Sequence, residues 1–215
     1  MDGSALGRLS PRPGATGLLL GRETGSGRAP VLLPLLRAEP TRVVLIGGSW
    51  LARIVVFRCV ALGARVLVRT TEPRGWEGMD AAGRVTVVPG PQPVTAHPGE
   101  PVLHVADLGG RTGGDLESGA GWQTLLTVAD QLTDPAAAAL PGADAVLVQR
   151  MWPQQASYVA SVLRVEPPAA RAAAAQAAAE LPDDSAVLFS EGTYRQLWLG
   201  PTALERRQFG PPQRV

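Results

Sequence analysis

Apolar residues along this chain fall in short, nearly continuous runs, and glycine, proline or arginine interrupts almost every one. Runs without alternation suit strands covered on both faces, as in a largely parallel sheet. Residues 16–21 (TGLLLG) and 30–36 (PVLLPLL) predict a β-hairpin, and Pro34 within the second run makes it an edge strand. Residues 42–46 predict a buried strand, and residues 50–62 a helix that is apolar nearly all round and so largely buried. Gly63 is placed to end that helix in a left-handed cap. Residues 65–68 predict the second strand of a strand–helix–strand unit, and residues 85–88, 102–106 and 145–149 predict further strands.

The remaining pattern is helical. Residues 120–132 predict a helix with Trp122, Leu125, Leu126 and Ala129 on one face, and Asp134 is expected to cap a short turn beginning at Pro135. Helices are expected at residues 153–165 and 168–181, the second on its alanine content. A final hairpin is expected over residues 186–199, turning at Glu191 and Gly192, before a short helix opened by a Thr202/Glu205 capping box. Strands alternating with helices, then an antiparallel hairpin, define the expected fold class. It is a three-layer α/β domain, Rossmann-like or degenerate P-loop-like, with a mostly parallel mixed sheet and hairpins at its edges. Residues 15–208 are expected to form one domain, flanked by disordered segments at 1–14 and 209–215. The loops at 89–101 and 109–121 are expected to be mobile.

Composition narrows the chemistry. All 20 basic residues are arginine, and no lysine occurs. This excludes a Schiff-base lysine, a lysine general base and the lysine of a phosphate loop. Net charge is only +1, yet residues 1–90 carry 12 arginines against 6 acids and residues 91–215 carry 8 against 13. A dipolar chain of this kind suits protein–protein contact better than a long polyanion, so no nucleic-acid partner is expected. The lone Cys59 excludes an internal disulfide and reads as an inert core thiol. No apolar stretch reaches the roughly 18 residues of a membrane helix and no secretory leader is visible, so a cytoplasmic protein without a membrane span is expected.

The strongest candidate for chemistry is Gly47-Gly48-Ser49, between the 42–46 strand and its helix. Backbone N–H groups at such a turn, beside a positive helix end, attract anions. A dinucleotide fingerprint G-x-G-x-x-G/A aligns only as Gly47-x-Ser49-x-x-Ala52, with serine in place of the glycine that admits the pyrophosphate. Arg69, after the second strand, stands where a reader of a 2′-phosphate would be, so Gly47, Gly48, Ser49 and Arg69 are the candidate cofactor-binding residues, with NADP or another nucleotide as the alternative to no cofactor. Residues 21–28 (GRETGSGR) echo a phosphate loop but have the wrong spacing and read as a hairpin turn. Asp107 ends a strand where a P-loop enzyme places a magnesium-binding carboxylate; without the loop it reads, like Asp130 and Asp144, as a solvated or capping aspartate. His97 and His104 lack metal-ligand spacing, and Ser190 lacks a nucleophile elbow, so neither a metal site nor a catalytic residue is expected. The five tryptophans, Trp50, Trp76, Trp122, Trp152 and Trp198, read as partly buried core residues or as interface anchors at turns.

Taken in order, TGLLLG…PVLLPLL, VVLIGGSWLAR, VLHVAD, AVLVQR and the closing hairpin resemble the FtsK/EccC class of P-loop motor domains with the phosphate loop and catalytic residues erased. The same order is similar to the soluble part of EccE-type components of actinobacterial type VII (ESX) secretion systems, although EccE components ordinarily begin with membrane-spanning helices and none is evident here. The resemblance covers about residues 15–208. It implies a non-catalytic accessory or scaffold protein that docks through other proteins onto a membrane-embedded secretion complex, with homo-oligomerisation open. The alternative from the residues is an NADP-dependent oxidoreductase or a nucleotide-binding regulatory module using the turn at residues 47–52.

Overall fold

In the strand Thr41–Ile46 (β3), Val43 and Leu45 pack into one hydrophobic cluster while Val44 and Ile46 pack into another. That split explains the unbroken apolar run: both faces of the strand are covered, and the protein has three layers. The computed structural model describes residues 17–25, 27–79, 83–109 and 121–212. The segment 1–14, most of the loop 109–121 and the last residues of the expected tail lie outside that set.

The strands are Leu18–Glu23 (β1), Pro30–Leu33 (β2), β3, Arg65–Thr70 (β4), Val85–Val87 (β5), Val102–Asp107 (β6), Gln123–Ala129 (β7), Ala145–Val148 (β8), Ser185–Ser190 (β9) and Thr193–Trp198 (β10). They form one mixed sheet in the order β2-β1-β10-β9-β8-β3-β7-β6-β4-β5. The strands from β8 to β5 in that order are parallel, whereas β9, β10, β1 and β2 form an antiparallel wing. Both predicted hairpins therefore lie on the same side of the sheet, and β2, with Pro34 just beyond it, is an edge strand.

The helices are Ser49–Ala61 (α1), Asp134–Ala139 (α2), Pro153–Val162 (α3), Pro168–Ala179 (α4) and Ala203–Phe209 (α5). On one face α1 packs over β4, β6 and β7 and is bordered by β1 and α5, which is why it is apolar all round. Gly63, at φ 89°, ends it in the left-handed region, as its sequence predicts. On the other face α3 and α4 cover β8, β3 and β9 with Val159, Ala160, Ala174 and Ala178, and Val94 and Ala96 cover Leu67 and Val102 further along. Alanine is the residue that lets α4 lie close. The Thr202/Glu205 capping box of α5 forms as predicted: Glu205 N donates to Thr202 Oγ1 at 3.2 Å and Thr202 N to Glu205 Oε2 at 2.7 Å.

Two expectations are corrected. Residues 120–132 contain a strand, β7, and not a helix. The helical spacing of Trp122, Leu125, Leu126 and Ala129 is overridden by tertiary context, since β7 sits between β3 and β6 and is buried on both faces. Thr124 and Thr127 suit that pleated position, and Thr124 Oγ1 accepts from Leu36 N at 3.0 Å. Trp122, at φ 64°, and Gly121, pressed against the Ala38 carbonyl, bring the chain in through a turn that no helix N-terminus would need. At α2 the cap is Thr133, whose Oγ1 accepts from Ala136 N at 3.4 Å, with Asp134 as the first helical residue.

Candidate functional site

The register of the parallel strands fixes what meets at their C-terminal ends. Ile46 of β3 pairs with Ala129 of β7 on one side and Val148 of β8 on the other, so the next residues, Gly47, Asp130 and Gln149, come side by side. The chain leaves β3 through α1 across one face, and passes from β7 through α2 to β8 on the opposite side of β3. Such a topological switch point opens a crevice beyond the strand ends, the usual place for a ligand in an open α/β sheet. The crevice here has a volume of about 510 Å³ and is lined by Gly47, Asp130, Gln149, Arg150, Trp152 and Glu180 among others.

The turn from β3 into α1 consists of Gly47 and Gly48 alone. Gly47 has φ 139° and its Cα faces Gln149 so closely that a Cβ would lie 2.3 Å from the Gln149 Cβ. Gly48 is buried at φ 103° and offers no side chain to cap the helix. Ser49 opens α1, and its carbonyl and Oγ accept from Arg53 at 3.4 and 3.5 Å. Burial holds the Arg53 guanidinium below its usual range, against the opposing pull of Asp107. The structure thus keeps Gly47, Gly48 and Ser49 together. Arg69 lies elsewhere: β7 and β6 separate β4 from β3, which puts it about 14 Å away at three strand spacings. Burial lowers its guanidinium pKa too, and it lies beside His104.

Asp107 is built into the fold. Its Oδ2 accepts from the indole N–H of buried Trp76 at 2.7 Å and from Thr70 Oγ1 at 3.1 Å, so it ties the 3-10 turn Pro73–Trp76 to the ends of β4 and β6. Asp144 accepts from Arg42 N at 2.7 Å and anchors the entry to β8 at the opposite end of the sheet. Burial raises the Asp130 carboxyl above the usual range, and the nearby charges of Asp107 and Glu72 raise it further. Of residues 21–28, Gly21, Arg22 and Glu23 end β1, and the described residues after them lie between β1 and β2. Among the described residues no group of three or more His, Cys, Asp or Glu is arranged to hold a metal ion, and no helix is long and apolar enough to cross a membrane.

Sequence reasoning missed the crevice. Asp130 follows the strand that its pattern disguised as a helix, and Gln149 is visible in sequence only as the end of an apolar run. Gln149 is fully buried; its Nε2 donates to the Asp183 carbonyl at 3.1 Å and its Oε1 has no partner among the described residues. Trp152 is 74% exposed, the most exposed of the large apolar side chains among the described residues.

The strand order, the switch point and the helices on both faces define a three-layer α/β domain of the type that receives ligands at its strand ends. No family profile matches the sequence, and no curated protein does. Among solved structures, the cytoplasmic domain of EssC is similar, with a TM-score of 0.57 at 11% sequence identity over 91% of this chain and 45% of that one. At that identity the likeness shows the fold alone, and this chain spans less than half the length of that structure.

Proposed function

We propose that this chain is a non-catalytic accessory or scaffold domain of a type VII secretion apparatus, built on a nucleotide-binding fold that no longer cradles phosphate. The β3–α1 turn carries this reading. A phosphate loop needs several residues between strand and helix, and a lysine after its last glycine. Here two glycines fill the connection, one of them wedged on Gln149, and Arg53, one turn into the helix, is folded back onto Ser49. The carboxylate at the magnesium position, Asp107, is engaged by Trp76 and Thr70. The dinucleotide alternative needs Arg69 beside the turn, and two strands stand between them. The secretion reading is supported by the fold likeness to EssC, a type VII secretion component, together with the sequence resemblance. The proposed partners are proteins of that complex, and the proposed localisation is cytoplasmic, at the membrane through those partners.

The test is a thermal-shift series with ATP, ADP and NADP(H), with and without magnesium, beside co-purification with the membrane-embedded components of a type VII system. Ligand at a hundredfold its dissociation constant adds about 2.7 kcal/mol of stability, so binding would be plain. The expected result is no shift with any nucleotide and a stable complex with the secretion components. A nucleotide-dependent rise in melting temperature would select the regulatory or NADP-linked alternative.

A further inference from the structure

We infer that the crevice at the ends of β3, β7 and β8 receives an arginine side chain presented by a partner protein. This rests on the scaffold reading above and specifies the contact. Three independent features of the lining ask for the same group. Gln149 lines the crevice, and its Oε1 is a buried acceptor with no donor among the described residues. Asp130 forms no ion pair or hydrogen bond among the described residues, and its surroundings of Asp107 and Glu72 favour an added positive charge. Trp152 offers an indole that is three-quarters exposed at the same crevice, a surface that stacks on a flat cation. A guanidinium satisfies all three: it is charged, planar and rich in N–H donors.

The charge balance agrees. Asp130 and Glu180 line the crevice against one guanidinium, Arg150, which is itself exposed and forms no ion pair among the described residues. The crevice is therefore one positive charge short. An anionic phosphate group would meet Asp130 and Glu180 and would leave the Gln149 acceptor without a donor. An ammonium ion would answer the charge but would not stack flat on Trp152.

The test is a ¹H–¹⁵N correlation titration of the intact chain with Nα-acetyl-arginine amide, with the matching citrulline and lysine derivatives as probes of charge and planarity. Blocked arginine is expected to move the Gly47 and Asp130 amides, the Gln149 side-chain amide and the Trp152 indole. Blocked lysine should move them less, and blocked citrulline should not move them. Asp130→Asn and Trp152→Ala should each weaken the response roughly threefold. Leu204→Ser, on the exposed surface of α5, should leave it unchanged. Absence of shifts at these four positions, or equal shifts with citrulline, overturns the inference. Shifts of Gly48 and Ser49 on adding ATP would overturn the scaffold reading and this inference with it. Silence to both arginine and ATP overturns this inference alone.

Discussion

Arg58 Nε donates to Glu205 Oε1 at 2.6 Å, and this pair fastens the last helix to the first. The same guanidinium also donates to the carbonyls of Leu20 at 2.6 Å and Leu199 at 3.2 Å, so one side chain gathers α1, β1, the end of β10 and α5. Glu205 is 2% exposed. Burial alone would raise its carboxyl, but the bonds from Arg58 and Thr202 outweigh that and hold it below its ordinary range.

Removing either partner strands a buried charge. Arg58→Ala is expected to destabilise the fold by about 3 kcal/mol, read as a fall in the denaturant midpoint. Because the folded-state carboxyl of Glu205 is depressed, its contribution is present above the unfolded value and is lost as pH falls below about 4. A Glu205→Gln variant should lose that acid sensitivity.

Gly47 and Gly63 both have positive φ but differ in their surroundings. An alanine Cβ at Gly47 would meet Gln149 at 2.3 Å, whereas at Gly63 it would meet nothing within 4 Å. Gly47→Ala is expected to cost about 3 kcal/mol or more, and Gly63→Ala only about 1 kcal/mol. Equal costs by chemical denaturation would show that Gln149 does not press on the turn.

Asp107 joins Trp76 and Thr70 at the strand ends. Asp107→Ala leaves the buried Trp76 indole N–H without its acceptor and is expected to cost about 2 kcal/mol. Near-ultraviolet circular dichroism should report the altered tryptophan environment. No change in stability would free the carboxylate for another role.

His104 predicts a second pH dependence. It is buried, Gln123 Nε2 donates to the Val94 carbonyl at 3.0 Å, and Gln123 Oε1 faces His104 Nε2 at 3.1 Å. Burial lowers the His104 pKa; the bond to Gln123 raises it and the Arg69 charge lowers it, with a net decrease. The unfolded chain therefore binds the proton more readily. Stability should be complete above about pH 6.5 and decline as pH falls below it, towards the folded-state value. The decline, followed by thermal melts, should disappear in His104→Gln.

Much of the fold was legible in the sequence because it is written in local signals. Val43 to Ile46 gave a strand buried on both faces, Gly63 a helix end, and Thr202 with Glu205 a helix start. The strand β7 was not legible, because its leucines and alanine favour a helix locally and its neighbours β3 and β6 override that preference. The turn residues of the candidate site could be found, since glycine next to an apolar run is conspicuous. The crevice could not. Gly47, Asp130 and Gln149 become neighbours only through a strand order that no local pattern encodes, and Arg69 is distanced from the turn by the same order.

The pairing of β1 with β10, in which Arg22 stands opposite Trp198 and Glu23 opposite Leu197, joins the two ends of the described chain. During synthesis the first hairpin leaves the ribosome long before its partner strand exists, so its inner edge waits without hydrogen-bond partners until Thr193–Trp198 has emerged. Contacts so distant in sequence make for slow folding and a prolonged opportunity for wrong pairing. A nascent chain stalled after β9 should therefore be the most aggregation-prone species this protein forms, and release of β10 and α5 the step that closes the sheet.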